Sequence, residues 1–296
     1  MTKIRLAVIS LLGVGFFWAA AFVLMKDAIQ QQPYMDFLAT RFTVAALAMV
    51  LLRPRVALDF KPGDIRYGGL IGVVLAFGYI TQTIGLDLTT AATSGFLTGL
   101  YVVLTPLIAW LFVRQKVSGK VVLGVSLAMV GLAIFSGAAA NIEFQIGQIW
   151  LVVCAVFYAV HILLLGHYGK GRSSYRFAMI QIGWVAIVTW GFALLDGYQA
   201  PPNFEVWFAI LFTALLSTVV AFWIQTWAQT LIDPARVALL ITSEVVFTAV
   251  IAVMVGQEPL TYAMVFGGGL MFIAMLIVEW PGKRAPETPL EPQLHE

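Results

Sequence analysis

Stretches of apolar residues alternate along the chain with short polar breaks that contain proline or glycine, as at residues 30–33 and 200–203. A helix needs about 20 apolar residues to cross the hydrocarbon core of a bilayer, and most of these stretches approach that length. The pattern predicts ten transmembrane helices, at residues 6–25, 37–52, 67–86, 94–113, 119–138, 147–166, 176–195, 206–229, 236–255 and 262–280.

Strands do not fit this pattern, because a membrane β-barrel needs alternating apolar and polar residues. Residues 121–135 are apolar on all sides, and over that length in hydrocarbon only a helix satisfies its own backbone. We therefore predict an all-α integral membrane protein.

Composition agrees with a membrane environment. The 296 residues are 61% hydrophobic and 11% charged, with a mean hydropathy of +0.93, whereas soluble domains carry about 25% charged residues. The net charge of +2 is too small to indicate nucleic-acid binding. The single cysteine, Cys154, excludes a disulfide within the chain and a cysteine-based metal site.

The first apolar stretch resembles a signal peptide, since Lys3 and Arg5 precede it and alanines at 19–21 suggest a cleavage site. The stretch continues to Met25 and has a counterpart later in the chain, so we interpret it as a retained helix. If the N-terminus is cytoplasmic, all of the 17 lysines and arginines except Lys26 and Arg41 fall on the cytoplasmic side. Both termini are therefore predicted to be cytoplasmic.

An internal repeat emerges when the sequence is shifted by 143 residues. The shift places Gln82 on Gln225 and Gly124 on Gly267, with no gap from about residue 75 to 134. Each half has five predicted spans, and because five is odd the halves must insert in opposite orientations. We predict a first repeat at 1–140, a second, inverted repeat at 141–280, and a disordered cytoplasmic tail at 281–296.

Loop charges agree with opposed halves. The fourth loop carries Arg114, Lys116 and Lys120, whereas its counterpart in the second half carries Glu258. Inverted repeats recur in secondary transporters, in which two similar halves pack around a central site.

Several motifs occur in a familiar order. They are Trp18-Ala19-Ala20-Ala21-Phe22-Val23, Pro33 with Arg41, Thr105-Pro106, Ser243-Glu244 and Gly256-Gln257-Glu258-Pro259. Together they resemble the EamA-type members of the drug/metabolite transporter superfamily, although Val245 and Gln115 depart from its usual proline and glutamate. The resemblance implies ten helices and the export or exchange of small metabolites such as amino acids. We expect a location in the bacterial inner (plasma) membrane.

Polar residues inside predicted spans are candidates for the transport site, because such groups usually face a cavity or one another. The third and eighth spans carry them at equivalent positions, as do the fourth and ninth, and the first and sixth add aromatic side chains. We predict a substrate-binding cavity lined by Trp18, Tyr79, Gln82, Tyr101, Tyr158, Gln225 and Glu244.

Glu244 is a candidate for binding a substrate ammonium group or a coupling proton, with a structural hydrogen bond as the alternative. His161 is a second candidate for proton coupling, although a lone histidine more often has a packing role. Arg41 lies near the predicted outer surface and either attracts an anion or snorkels to the interface; we favour the structural role. We interpret Glu258 as a surface or capping residue.

Two other functions remain open, an intramembrane enzyme acting on lipid and a non-transporting partner subunit. Neither an ATP-binding motif nor a His-Glu-x-x-His motif occurs, and we expect no cofactor, no metal and no enzymatic activity. The expected partners are a small-molecule substrate and the lipid bilayer, not nucleic acid. A homo-oligomer is left open.

We predict that Glu244→Gln abolishes or uncouples transport while expression stays normal, because the amide cannot carry a proton or pair with an ammonium group. Transport measured at several pH values tests this prediction. Full pH-dependent activity in the variant would contradict it.

Overall fold

The computed structural model describes residues 2–113, 117–135, 145–195, 197–257 and 259–279, and all regular elements in these ranges are helical. They are α1 (Lys3–Ala28), α2 (Tyr34–Leu52), α3 (Pro54–Leu58), α4 (Asp64–Leu88), α5 (Ala91–Thr98), α6 (Tyr101–Val113), α7 (Gly119–Phe135), α8 (Ile146–Tyr168), α9 (Ser174–Ala193), α10 (Phe204–Ala214), a π-helical turn (Leu215–Val220), α11 (Ala221–Ala228), α12 (Pro234–Ile241), α13 (Ser243–Met254) and α14 (Tyr262–Glu279).

Eight stretches of the described chain are long and apolar enough to cross a membrane. Five of them are the single helices α1, α2, α4, α8 and α9, and three combine consecutive helices, at Ala91–Leu111, Phe204–Ala228 and Pro234–Met254. Two further helices, α7 and α14, are apolar over shorter lengths. The all-α membrane architecture is thus confirmed, whereas the number of ten spans stays a prediction.

Two spans that the sequence predicts as continuous are interrupted. A turn at residues 99–100 separates α5 from α6, and Thr242 separates α12 from α13. At these points the backbone N–H of Val102 donates to the carbonyl of Gly99, and that of Val245 to the carbonyl of Thr242, both at 3.0 Å. Each bond reaches back three residues instead of four, which is the tighter 3₁₀ pattern often found at hinges inside helices.

A third span contains the π-helical turn at Leu215–Val220. Within it the hydroxyl of Thr218 donates to the carbonyl of Thr213, five residues earlier, at 2.8 Å. The neighbouring Ser217 bonds outside its own helix, because its hydroxyl donates to the carbonyl of Phe17 and its carbonyl accepts from Nε1 of Trp18, both at 2.8 Å. The turn therefore ties this span to α1. Such π turns occur frequently at functional sites.

Packing between the helices follows a reciprocal pattern. In the first half α4 packs against α8 and α9, and in the second half α10 and α11 pack against α1 while α10 also contacts α2. Helix α1 lies against α13, α6 lies against α8, α2 lies against α9, and α7 lies against α14. Each half therefore buries its helices largely against the other half.

Gly15 allows the close contact between α1 and α13. A Cβ atom at this position would lie 2.3 Å from the hydroxyl oxygen of Ser243 and 3.1 Å from the backbone nitrogen of Glu244. Small residues allow membrane helices to approach closely, and here the approach brings α1 against the first turn of α13.

Ionic contacts join the start of α4 to the start of α9. Asp64 pairs with Arg172 at 2.5 Å and with Arg176 at 2.7 Å, and Arg176 also pairs with Asp59 at 3.1 Å. At the other end of α4, Nζ of Lys26 donates to the carbonyls of Leu86 and Asp87 at 2.8 and 3.0 Å.

The predictions for Arg114, Lys116, Glu258 and the tail at 281–296 lie outside the described residues.

We expect Gly15→Ala to lower thermal stability, at a cost of about 1–3 kcal/mol, because the added methyl group overpacks the contact with Ser243. Gly13→Ala is the matched control, since a Cβ there meets nothing within 4 Å and alanine favours the helix. Thermal unfolding of both variants in detergent measures the difference, and equal melting temperatures would refute the prediction.

Candidate functional site

A cavity of about 40 Å³ lies between the two halves. It has room for a few water molecules, so in this conformation it is smaller than a typical small-molecule site and must widen to admit a solute. The structure brings every predicted site residue to its wall: Trp18, Tyr79, Gln82, Tyr101, Tyr158, His161, Gln225 and Glu244. Further lining residues are Ala21, Phe22, Met25, Arg41, Leu75, Ile162, Phe222 and Ile241.

Most polar side chains of the wall are almost completely shielded from solvent, although Tyr158 is half-buried. Gln82 is the most accessible of the seven buried ones, at 7%, and the others are Arg41, Tyr79, Tyr101, His161, Gln225 and Glu244. The cavity is thus largely closed off in this conformation.

The helix threonines next to these residues stay out of the wall. Thr83, Thr105 and Thr248 each donate at 2.7–2.8 Å to the carbonyl four residues earlier in the same helix. Such bonds satisfy the hydroxyl within the helix and often bend it slightly. These three threonines therefore do not line the cavity.

Glu244 and Tyr101, which the repeat superposes, contact each other across the cavity wall. The hydroxyl of Tyr101 donates to Oε1 of Glu244 at 3.3 Å. Glu244 is 3% exposed and forms no ion pair with any described residue. Because Thr242 interrupts the helix, Glu244 lies in the first turn of α13, where the N-terminal end of a helix favours negative charge.

Aromatic rings form much of the remaining wall. Tyr158 lies edge-on to Tyr79 at 5.8 Å, and its hydroxyl donates to Oε1 of Gln82 at 3.0 Å. Phe222 packs against Trp18 at 5.6 Å. Oε1 of Gln225 is buried and has no hydrogen-bond partner in the described part of the chain, so it is an acceptor that a bound molecule can use.

His161 has a partner within the protein. Nε2 of Gln181 donates to the carbonyl of Phe177 at 3.0 Å. Oε1 of Gln181 is therefore the atom that faces Nε2 of His161, at 2.9 Å. With the amide assigned in this way, Nε2 of His161 carries the hydrogen and donates it. The bond supplies a structural role for His161, and a role in proton coupling stays a prediction.

Arg41 does not snorkel to the interface, contrary to the role favoured from the sequence. Its side chain turns into the protein, is 1% exposed and lines the cavity. The position of Arg41 inside a predicted span is itself a signal, because an ionisable residue inside a membrane span is a candidate functional group by default. Its partner Thr218 could not be foreseen, since the π turn that positions it has no clear sequence signature.

No group of three or more histidine, cysteine, aspartate or glutamate side chains that could hold a metal ion occurs among the residues described. The described wall of the cavity offers one carboxyl, one guanidinium, one imidazole, amides, hydroxyls and aromatic faces.

The sequence model of the EamA-like transporter family matches the chain twice, at residues 5–137 and 145–280. A protein of Archaeoglobus fulgidus described as an uncharacterized transporter is 33% identical over 266 residues, which cover 90% of this chain and 83% of that protein. A second one from the same organism, with the same description, is 24% identical over 271 residues, covering 85% of this chain and 89% of its own length. A solved crystal structure superposes with a TM-score of 0.76 over 93% of this chain and 96% of its own, and at 15% identity this likeness shows the fold alone.

We predict that Trp18→Phe destabilises the protein by about 1 kcal/mol, because the carbonyl of Ser217 in the π turn loses its donor. Trp207→Phe is the matched control, since that ring is 41% exposed on α10. Thermal unfolding in detergent compares the two variants. An equal loss of stability in both would show that the bond to Ser217 contributes little.

Proposed function

The chain belongs to the EamA-like transporter family, and from this premise we propose that it is a secondary transporter that exports or exchanges small organic metabolites such as amino acids. The observation that carries the proposal is the cavity between the two halves, whose wall holds the unpaired charged groups Arg41 and Glu244 and the unpartnered Oε1 of Gln225. Buried polar groups without partners are costly in a membrane protein, and a solute that binds there would supply the missing partners.

Two inverted five-helix halves are part of this proposal. The packing of α4 against α8 and α9 resembles that of α10 and α11 against α1 and α2. The breaks at Gly99 and Thr242 are separated by the same 143 residues as Tyr101 and Glu244. Contact between these two superposed residues is what a pseudo-twofold axis passing beside the cavity predicts.

The same features support alternating access around the cavity as the mechanism that we propose. Helices that are interrupted near the binding site are common in transporters built from inverted repeats. The breaks at residues 99–100 and at Thr242 would act as hinges, and the shielded cavity corresponds to an occluded state between the two open ones. Since the sequence has no ATP-binding motif, we propose that a solute or proton gradient drives transport.

We propose an orientation with both termini in the cytoplasm of a bacterial cell and the chain in its inner membrane. The ionic cluster at the start of α4 would then be cytoplasmic, and Lys26 at the other end of α4 would face outward. This arrangement agrees with the excess of lysine and arginine on one side of the membrane.

Amino acids fit the chemistry of the wall. The carboxyl of Glu244 can pair with an ammonium group, and the faces of Trp18, Tyr79 and Tyr158 can hold an apolar side chain or the cation itself. Aromatic or amphipathic amino acids are therefore the cargo that we propose to test first.

Efflux from proteoliposomes loaded with a mixture of the twenty protein amino acids tests the function, with mass spectrometry as the readout. We expect efflux of at least one amino acid, and a loss of roughly tenfold or more in Glu244→Gln, because the charged partner is removed. Glu205→Gln is the matched control, since that exposed carboxyl lies at the start of α10 outside the cavity. Absence of flux for a broad metabolite panel at every pH would favour the enzyme or partner-subunit alternatives.

A further inference from the structure

We propose that Arg41, held in position by Thr218, forms an anion subsite in the cavity that binds the carboxylate of the transported solute. The inference rests on the proposed transport function and specifies the class of solute: a molecule that bears one carboxylate. Neither residue is among those from which the sequence predicted the cavity.

Two aromatic rings and the hydroxyl of Thr218 pack against the guanidinium of Arg41. Its central carbon lies 5.1 Å from the ring of Phe42 and 5.0 Å from that of Tyr79. Its Nε and Nη2 donate to the hydroxyl of Thr218 at 3.2 and 3.1 Å, while Nη1 contacts the sulfur of Met25 at 3.0 Å. The side chain of Tyr79 also hydrogen-bonds the guanidinium. A thioether sulfur is only a weak acceptor, so Met25 is a poor partner for Nη1.

The π turn determines how Thr218 holds this group. Because its hydroxyl hydrogen is donated to the carbonyl of Thr213, the oxygen presents its lone pairs to Arg41. Thr218 therefore fixes one edge of the guanidinium without neutralising its charge. A positioned guanidinium with donors to spare suits a planar, bidentate acceptor such as a carboxylate.

The charge of Arg41 has no counterion among the described residues. The ion pairs of the described residues all lie in the cluster of Asp59, Asp64, Arg172 and Arg176, and Arg41 is not among them. Glu244 lines the same cavity, yet the two charged groups are too far apart to form an ion pair. A buried charge without a partner is strongly unfavourable, so a bound anion would stabilise this arrangement.

One carboxylate matches the cavity better than a phosphate does. Arg41 is the one lysine or arginine that lines the described cavity, and it is accompanied by the carboxyl of Glu244. A phosphate dianion would leave excess negative charge near Glu244, whereas a zwitterion would place its carboxylate on Arg41 and its ammonium group toward Glu244. An amine or an amide would leave the guanidinium unpaired and is therefore expected to bind poorly.

Paired efflux assays test the subsite, with the twenty amino acids in one set of proteoliposomes and their carboxamides in another. We expect the wild-type protein to move at least one amino acid about 10- to 100-fold faster than its carboxamide, because a charge-assisted hydrogen bond is lost in the amide. Arg41→Gln should abolish this preference, Arg41→Lys should retain part of it, and Thr218→Val should reduce it several-fold. Arg55→Gln removes an exposed arginine of α3 and should leave the preference unchanged.

The possible outcomes separate the subsite from transport itself. Equal efflux of acids and amides in the wild type, or an unchanged preference in Arg41→Gln, would overturn the subsite while leaving the transport function intact. If the wild type moves neither set, the proposed function fails and the subsite fails with it. Should thermal unfolding show that Arg41→Gln does not fold, the preference ratios of Arg41→Lys and Thr218→Val decide, and wild-type ratios in both would refute the proposal.

Discussion

A polar group in the interior of a membrane protein must find a partner, because hydrocarbon offers none and each unsatisfied group is costly. Most buried polar groups here obey this constraint locally, as Thr83 and Thr105 do by bonding to carbonyls of their own helices. Six buried side-chain atoms of the described residues have no partner, and one of them, Oε1 of Gln225, belongs to a residue that lines the cavity. Arg41 and Glu244 line it without pairing, and Gln225 retains an unused acceptor, so the wall is complementary to a polar solute.

Departures from regular helix surround this cavity and have a common physical role. A new helix begins beside the cavity after each of the breaks at residues 99–100 and Thr242. The first of these helices begins with Tyr101, and the second carries Glu244 in its first turn. The π turn at Leu215–Val220 contains Thr218, and the hydroxyl of Thr218 accepts a hydrogen bond from the guanidinium of Arg41. Gly15 then lets α1 close on α13. The interruptions thus both position the polar groups and supply points at which the halves can bend.

Much of the site could be predicted because membrane helices carry few polar residues, and those that repeat in both halves stand out. Gln82 with Gln225 and Tyr101 with Glu244 follow from that reasoning, and all four reach the cavity. The reasoning failed for Arg41, because its place near the end of a span suggested that the side chain would extend to water. Whether it turns outward or inward depends on neighbours from three other helices, among them Met25, Tyr79 and Thr218.

The sequence by itself determined that the chain is a helical membrane protein, since composition and the length of its apolar stretches leave no other solvent for its surface. It also determined which polar residues lie at membrane depth, because position along a helix sets depth. The tertiary structure alone decided which of these groups face each other and which remain without a partner. That outcome depends on contacts between residues far apart in the chain, such as Arg41 with Thr218, and on local changes of helix type that periodicity does not reveal.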